Sequence, residues 1–225
     1  MIPYAVISTG SKGNAVIVNR RILVDCGVPY KALRSYVPDL ALVLLTHRHG
    51  DHFNPGTVKR LAENRPLVRF GCCAWMVPLL IESGVPSGRI DLYSIGGDYS
   101  YGAFRIQPVH LVHDVPNCGY MIRFSDGRKA FYATDTSSLA GIEAPNFDLY
   151  LVEANYIDEQ IRERIAEHKA NGEYVYERRV LETHLSKADC DAWAFGQMAP
   201  WSTLVYLHCH QEEAPADEER SPNHV

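Results

Sequence analysis

Residues 46–52 read Thr46-His47-Arg48-His49-Gly50-Asp51-His52, placing three imidazoles and a carboxylate within six positions. So many ionisable groups cannot be buried together without partners or a cation. Imidazole combined with carboxylate suits Zn²⁺, and Mn²⁺ or Fe²⁺ with less preference. His47 and His49 are two residues apart, so they address one ion only from an extended or turning backbone. On a helix they would diverge, which separates this run from the helical HExxH pattern. Asp51 and His52 are adjacent and point elsewhere, toward a second ion.

The surrounding elements must present this run at a strand end. An apolar strand over 40–46 leads into it, and a helix over 54–64 follows, with Asn54 as cap, Pro55 at its first position, and Val58 and Leu61 on one face. Upstream, strands are predicted over 4–8, 15–18 and 22–25, with the turn-forming cluster Ser8-Thr9-Gly10-Ser11-Lys12-Gly13-Asn14 between the first two. A further helix is predicted over 74–83, ended by Gly84. Strands are expected over 103–109, 118–124, 129–134 and 148–152, with Ser125-Asp126-Gly127-Arg128 as a hairpin turn. Ile157, Ile161 and Ile165 recur every four residues among charges and predict an amphipathic helix. A serine-capped helix over 186–195 and a strand over 203–207 follow. Two strand sets with interleaved helices define an α/β chain with two sheets.

The histidine run resembles the metal motif of the metallo-β-lactamase superfamily, and the resemblance extends over residues 4–210. That family places a third histidine after a mid-chain strand. His113 fits, since His113-Asp114 precedes Asn117-Cys118-Gly119-Tyr120; His110, inside a strand pattern, is the alternative and reads as a core or supporting residue. Asp135, in Tyr132-Ala133-Thr134-Asp135-Thr136, matches the family aspartate that ends a strand. His208, in Val205-Tyr206-Leu207-His208-Cys209-His210, matches the last histidine, with His210 as its alternative. The resemblance implies a four-layer αβ/βα sandwich of two mixed sheets flanked by helices. It implies that His47, His49 and His113 hold one divalent ion, that Asp51, His52 and His208 hold a second, and that Asp135 bridges them. Two such ions lower the pKa of a water held between them and clamp a phosphoryl group, with Asp51 orienting the attacking oxygen or taking its proton. Asp25, in Leu23-Val24-Asp25-Cys26-Gly27, resembles the aspartate that braces the metal loop.

Three further elements narrow the branch. The Ser8–Asn14 cluster is similar to the SxGSxGN opening of the YycJ (WalJ) exonucleases, Glu153-Ala154-Asn155-Tyr156 to their ExN(H/Y) element, and Thr183-His184-Leu185-Ser186 to their HLS element. The order Glu153, His184, His208 also resembles tRNase Z, where the glutamate orients a histidine that serves the scissile phosphate and leaving oxygen. The expected activity is therefore phosphodiester hydrolysis, most specifically a YycJ-like exonuclease on nucleic acid, with Glu153 and His184 catalytic. Alternatives are a small-molecule phosphodiesterase acting on cyclic nucleotides, a thioester or lactone hydrolase, and a metal-bound scaffold without turnover.

Composition bounds these readings. The 225 residues carry 27 acids and 22 bases, and 46% are hydrophobic, which fits a globular chain and not a disordered one. Residues 211–225 hold five acids against Arg220, so the body is nearly neutral and nucleic acid must be met by a local patch. Lys12, Arg20, Arg21 and Arg34 are candidate phosphate contacts; Arg162, Arg164, Arg178 and Arg179 read as solvated helix charges. One hydrolase domain over 1–210 and an acidic disordered tail over 211–225 are expected. The six cysteines include no CxxC, with Cys72-Cys73 as core filler ahead of a helix, and no secretory or membrane-spanning stretch is apparent, so a cytoplasmic chain is expected.

Overall fold

The structure is a computed structural model that describes residues 1–209. His210 and the acidic residues 211–225 lie outside the described residues.

Six strands form the first sheet in sequence order: β1 (Tyr4–Ser8), β2 (Ala15–Val18), β3 (Ile22–Val24), β4 (Leu42–Leu45), β5 (Arg69–Cys73) and β6 (Ile90–Tyr93). β1 to β3 pair antiparallel, and β3 to β6 pair parallel. The second sheet has the order β12-β11-β10-β9-β8-β7, from β7 (Tyr99–Ser100), β8 (Phe104–Leu111), β9 (Asn117–Phe124), β10 (Lys129–Ala133), β11 (Leu149–Glu153) and β12 (Thr203–Leu207). Here β10, β11 and β12 are parallel, and β7 to β10 antiparallel.

Burial on both faces explains the unbroken apolar runs of the central strands. In β4, Leu42 and Leu44 pack with Val16, Val18, Ile106, Tyr120, Ile122 and Leu151 between the sheets. Val43 and Leu45 point the other way, into a cluster with Leu33 of α1 (Tyr30–Leu33), Val58 and Leu61 of α2 (Pro55–Asn64) and Leu80 of α3 (Val77–Glu82). The outer face of the second sheet, with Phe131, Tyr150 and Val152, packs on Cys190 and Trp193 of α6 (Lys187–Gln197). Helices α4 (Asp158–Ala170) and α5 (Glu177–Thr183) fill the connection between β11 and α6. The result is the expected αβ/βα sandwich.

Caps fall where the sequence puts them. Asn54 accepts from the Thr57 amide at the start of α2, and Ser186 from the Asp189 amide at the start of α6. Other expectations need correction. The helix expected over 74–83 is a 3₁₀ turn (Ala74–Met76) followed by the short α3, whose first turn holds Pro78, a residue without an N–H to extend an earlier helix. Of the Ile157, Ile161 and Ile165 stripe only Ile161 is buried, and Ile157 is exposed. Cys72 and Cys73, core residues as expected, end strand β5. That strand escapes sequence patterning because it carries Gly71, whose missing side chain leaves room for the ring of Tyr93. Strand β6, the two-residue β7 and helix α5 were also not predicted. All six cysteines are free. Among the described residues no helix is long and apolar enough to cross a membrane.

Candidate metal centre

The site gathers at the carboxyl ends of the parallel strands, where α/β sheets expose side chains to ligands. Three of its residues adopt left-handed backbone just past such ends: Asp25 after β3 (φ 57°), Asp135 after β10 (φ 56°) and His208 after β12 (φ 54°). This conformation is uncommon without glycine and turns each side chain sharply out of its strand.

Residues 47–52 leave β4 as a tight loop, which Gly27 lets approach. A Cβ at Gly27 would stand 1.7 Å from the Asp51 carbonyl oxygen. The imidazoles are oriented from behind. His47 Nδ1 lies 3.0 Å from Thr46 Oγ1, His52 Nδ1 2.8 Å from Asp25 Oδ2, and His113 Nδ1 3.1 Å from the Thr183 carbonyl. With those nitrogens committed, the opposite Nε2 atoms of His47 and His113 both face His49 Nδ1, at 3.1 and 3.3 Å. His47, His49 and His113 thus present three convergent ring nitrogens.

A second group centres on Asp135. Its Oδ2 lies 2.9 Å from His52 Nε2 and 3.2 Å from His208 Nδ1, while its Oδ1 lies 3.9 Å from His113 Nε2. Asp135 therefore stands between the two histidine groups. Asp51 sits at the edge, 3.5 Å from His52 Nε2, and Asn14 Nδ2 reaches its carboxylate at 3.2 Å. Glu153, fully buried at the end of β11, accepts from the Thr136 amide and meets His184 Nδ1 at 2.6 Å and His208 Nδ1 at 3.3 Å. His184 also lines an open cleft with Asp51, His113 and Asp135.

Electrostatics single out the same residues. Burial, reinforced by the neighbouring His52, holds His47 far below the ordinary imidazole range, and burial also lowers His113. Burial opposes charge on His52 and His208 too, but carboxylates outweigh it. Asp135 and Asp25 raise His52, and Asp135 with Glu153 pushes His208 up to about 10. Burial alone would raise Asp135; the charge of His52 and the bond to His208 outweigh it and lower its carboxyl.

These residues fit divalent cations. His208 Nδ1 is buried without a hydrogen bond of good geometry, and the ring nitrogens of His47, His49 and His113 converge at one point. A cation answers both, with imidazole and carboxylate donors suited to Zn²⁺, Mn²⁺ or Fe²⁺.

The residues that the resemblance assigns to the site come together: His47, His49, Asp51, His52, His113, Asp135, Glu153, His184 and His208, with Asp25 behind them. His110 does not join. It is exposed on β8, so neither a core nor a supporting role holds. Arg20 and Arg21 lie on the β2–β3 turn, at the opposite end of those strands from Asn14 and Asp25, and cannot reach the cleft. Arg179 is a largely exposed helix charge as expected, and it also pairs with Asp114 and lines the cleft. Asn14, Asp114, Thr46 and Thr183 were missed as functional positions. All four stand inside segments singled out from the sequence, but their roles run through backbone or neighbour geometry that spacing does not reveal.

Residues 20–193 match the model of the beta-lactamase superfamily domain. The chain is 26% identical over 210 residues to the exodeoxyribonuclease WalJ of Streptococcus pneumoniae, an alignment covering 83% of this chain and 73% of that protein. In structure it resembles the short form of human tRNase Z, with a TM-score of 0.70 at 18% identity over 94% of this chain and 93% of the other. It likewise resembles the metallo-beta-lactamase fold protein YhfI of Bacillus subtilis, with a TM-score of 0.68 at 16% identity over 93% and 87% of the two chains. With a family model matched across most of its length and the family's sandwich around a histidine-aspartate centre, the chain belongs to the beta-lactamase superfamily.

Proposed function

We propose that the protein is a dinuclear metal-dependent phosphodiesterase that acts on nucleic acid as an exonuclease, as its pneumococcal relative is named. The observation that carries this reading is the Glu153–His184 contact of 2.6 Å beside Asp135 and His208. A carboxylate-held imidazole facing a cleft, next to convergent metal donors, supplies a proton donor for a leaving oxygen.

His47, His49 and His113 would hold one ion, Asp51, His52 and His208 the other, and Asp135 would touch both. Bound ions polarise the phosphoryl oxygens and make water a stronger nucleophile at neutral pH. The protein's own residues do the rest. Asp51, steadied by Asn14, accepts the proton of the attacking water. Glu153 keeps Nδ1 of His184 occupied, so that Nε2 faces the cleft and donates to the departing ester oxygen. Asp25 and Thr183 hold His52 and His113 in the orientations their roles require. Zn²⁺ is the preferred occupant, and the six free thiols suit a reducing compartment such as the cytoplasm.

The test is turnover by purified protein with its metal quantified, offered bis-p-nitrophenyl phosphate, end-labelled DNA and RNA, cyclic nucleotides and a thioester. Mononucleotide release from a polymer, lost in His184→Ala, is the expected result. Turnover confined to cyclic nucleotides would move the assignment to a small-molecule phosphodiesterase. Thioester cleavage indifferent to His184→Ala would overturn it, and a metal-loaded protein inert to all of these would indicate a scaffold.

A further inference from the structure

Three of the metal-facing imidazoles are held from behind: His47 by Thr46, His52 by Asp25 and His113 by the Thr183 carbonyl. His49 differs, because the nitrogen it turns toward His47 and His113 is Nδ1, which leaves Nε2 to face outward. Among the described residues the one carboxylate within 4.0 Å of that Nε2 is Asp114, whose Oδ1 stands 3.4 Å away. The same Oδ1 lies 3.2 Å from His113 Nε2. In a neutral ring that nitrogen has no proton to give, since His113 Nδ1 donates to the Thr183 carbonyl. Of the two rings beside Oδ1, His49 is therefore the one that can donate to it. A proton held on Nε2 fixes the tautomer in which Nδ1 keeps its lone pair for an ion.

Asp114 is itself held. Arg179 Nη2 donates to its Oδ2, a charge-assisted bond that leaves Oδ1 for His49. Arg179 and Thr183 both belong to α5, whose buried Glu177 pairs with His168 of α4 at 3.0 Å. One helix thus reaches two rings of one group: His113 directly, and His49 through Asp114. The other group is held from elsewhere. Thr9 Oγ1 accepts from the His208 amide at 2.6 Å, and Asn14 Nδ2 lies 3.2 Å from Asp51 Oδ2 and 2.8 Å from His52 Nε2. Among the described residues, α5 makes no hydrogen bond or ion pair to Thr9, Asn14, Asp25, Asp51, His52 or His208; its bonds to the centre go to Asp114 and His113.

We infer that Asp114 is a positioning residue for His49, carried by Arg179, so that α5 sets the affinity of the ion held by His47, His49 and His113 and not that of its neighbour. This rests on the two-ion centre proposed above and is independent of the substrate. A carboxylate behind a ligating imidazole fixes the ring and raises its basicity, and its loss is felt as lost metal affinity.

The test reads metal binding and needs no turnover. Chelator-treated protein is titrated with Co²⁺, whose visible absorption reports its ligands, and the parent should take up two equivalents. Asp114→Ala should weaken one equivalent about 10- to 100-fold and leave the other within about two-fold. Asp114→Asn, which keeps an oxygen to accept from His49, should lose less. Arg179→Met should weaken the same equivalent, and should add nothing once Asp114 is replaced by alanine, as for two members of one network. Asn14→Ala should weaken the other equivalent and combine additively with Asp114→Ala. Arg178→Met, exposed one residue away, should bind as the parent does. General damage to the fold would move both equivalents and the Tm of the metal-free protein, which should stay at the parent's value in Asp114→Ala. Equal weakening of both equivalents, additive losses from Asp114→Ala and Arg179→Met, or an unaltered titration overturns the inference. So does a changed spectrum of the Co²⁺-saturated Asp114→Ala protein, which would make Asp114 a ligand and not a support. A parent protein that takes up fewer than two ions overturns the two-ion centre as well.

Discussion

Asp25 accepts a hydrogen bond from His52 Nδ1 at 2.8 Å, and both side chains are fully shielded from solvent. The same carboxylate accepts from the Thr46 amide and hydroxyl, at 3.0 Å each. One residue at the end of β3 thus fixes both the start of the histidine loop and the ring orientation of its last member. Replacing it by asparagine keeps the left-handed backbone accessible but weakens the hold on the ring. Asp25→Asn should lower metal affinity about 10- to 100-fold, as loss of an outer partner to a ligating histidine does. Metal-binding titration would check this, and unchanged affinity would show Asp25 to be an ordinary turn carboxylate.

His184 and Glu153 should matter in proportion to the leaving group. His184→Ala and Glu153→Gln should each lower kcat on an oligonucleotide about 10²- to 10⁴-fold, the usual range for general acid–base catalysis. The loss should be smaller on bis-p-nitrophenyl phosphate, whose p-nitrophenolate departs without needing a proton. Equal losses on both substrates would indicate that the pair supports structure and does not donate a proton.

Gly27→Ala tests the packing of the metal loop. Its new methyl would meet the Asp51 backbone, which cannot swing aside as a side chain would. A loss of about 2 kcal/mol or more in chemical denaturation is expected, together with reduced metal content. Gly50→Ala in the same loop, where a Cβ meets nothing within 4 Å, is the control and should be tolerated.

Metal removal should destabilise the fold. The carboxylates of Asp135 and Glu153 are buried, as are His47, His52 and His208, so an empty centre leaves charges and lone pairs facing one another. Adding back the native ion at about 100 times its Kd should recover about 2.7 kcal/mol, seen as a rise in Tm over the chelator-treated protein. An ion that binds without moving Tm would not be held by this cluster.

Ser186 separates a structural serine from a chemical one. Its side chain caps α6 by accepting from the Asp189 amide at 3.0 Å. Ser186→Ala should cost about 1 kcal/mol in stability, while kcat changes only within a few-fold. A large fall in kcat at full metal content would mean that the hydroxyl takes part in the reaction.

The histidine loop, the strand before it and the capped helix after it were legible in the sequence because their determinants are local. An apolar run, a polar cluster that tolerates no dry burial, and an Asn-Pro start each carry their meaning within a few residues. Asp135 and His208 were legible too, through the resemblance of the short segments that hold them. Helix α5 was not, because its sequence Glu177-Arg178-Arg179-Val180-Leu181-Glu182-Thr183 shows no clear apolar stripe and little of it is buried. Its position is settled by bonds to residues 9 to 70 positions away, at His168, Asp114 and His113. For the same reason the sequence showed Arg179 as a surface charge but not its pairing with Asp114, and His110 read as interior until β8 turned it to solvent. The sequence by itself determined which donors this protein owns and that they belong at strand ends. Only the tertiary structure decided which nitrogen of each imidazole faces inward, because that choice rests on partners such as Asp25 and Thr183 that lie on other elements.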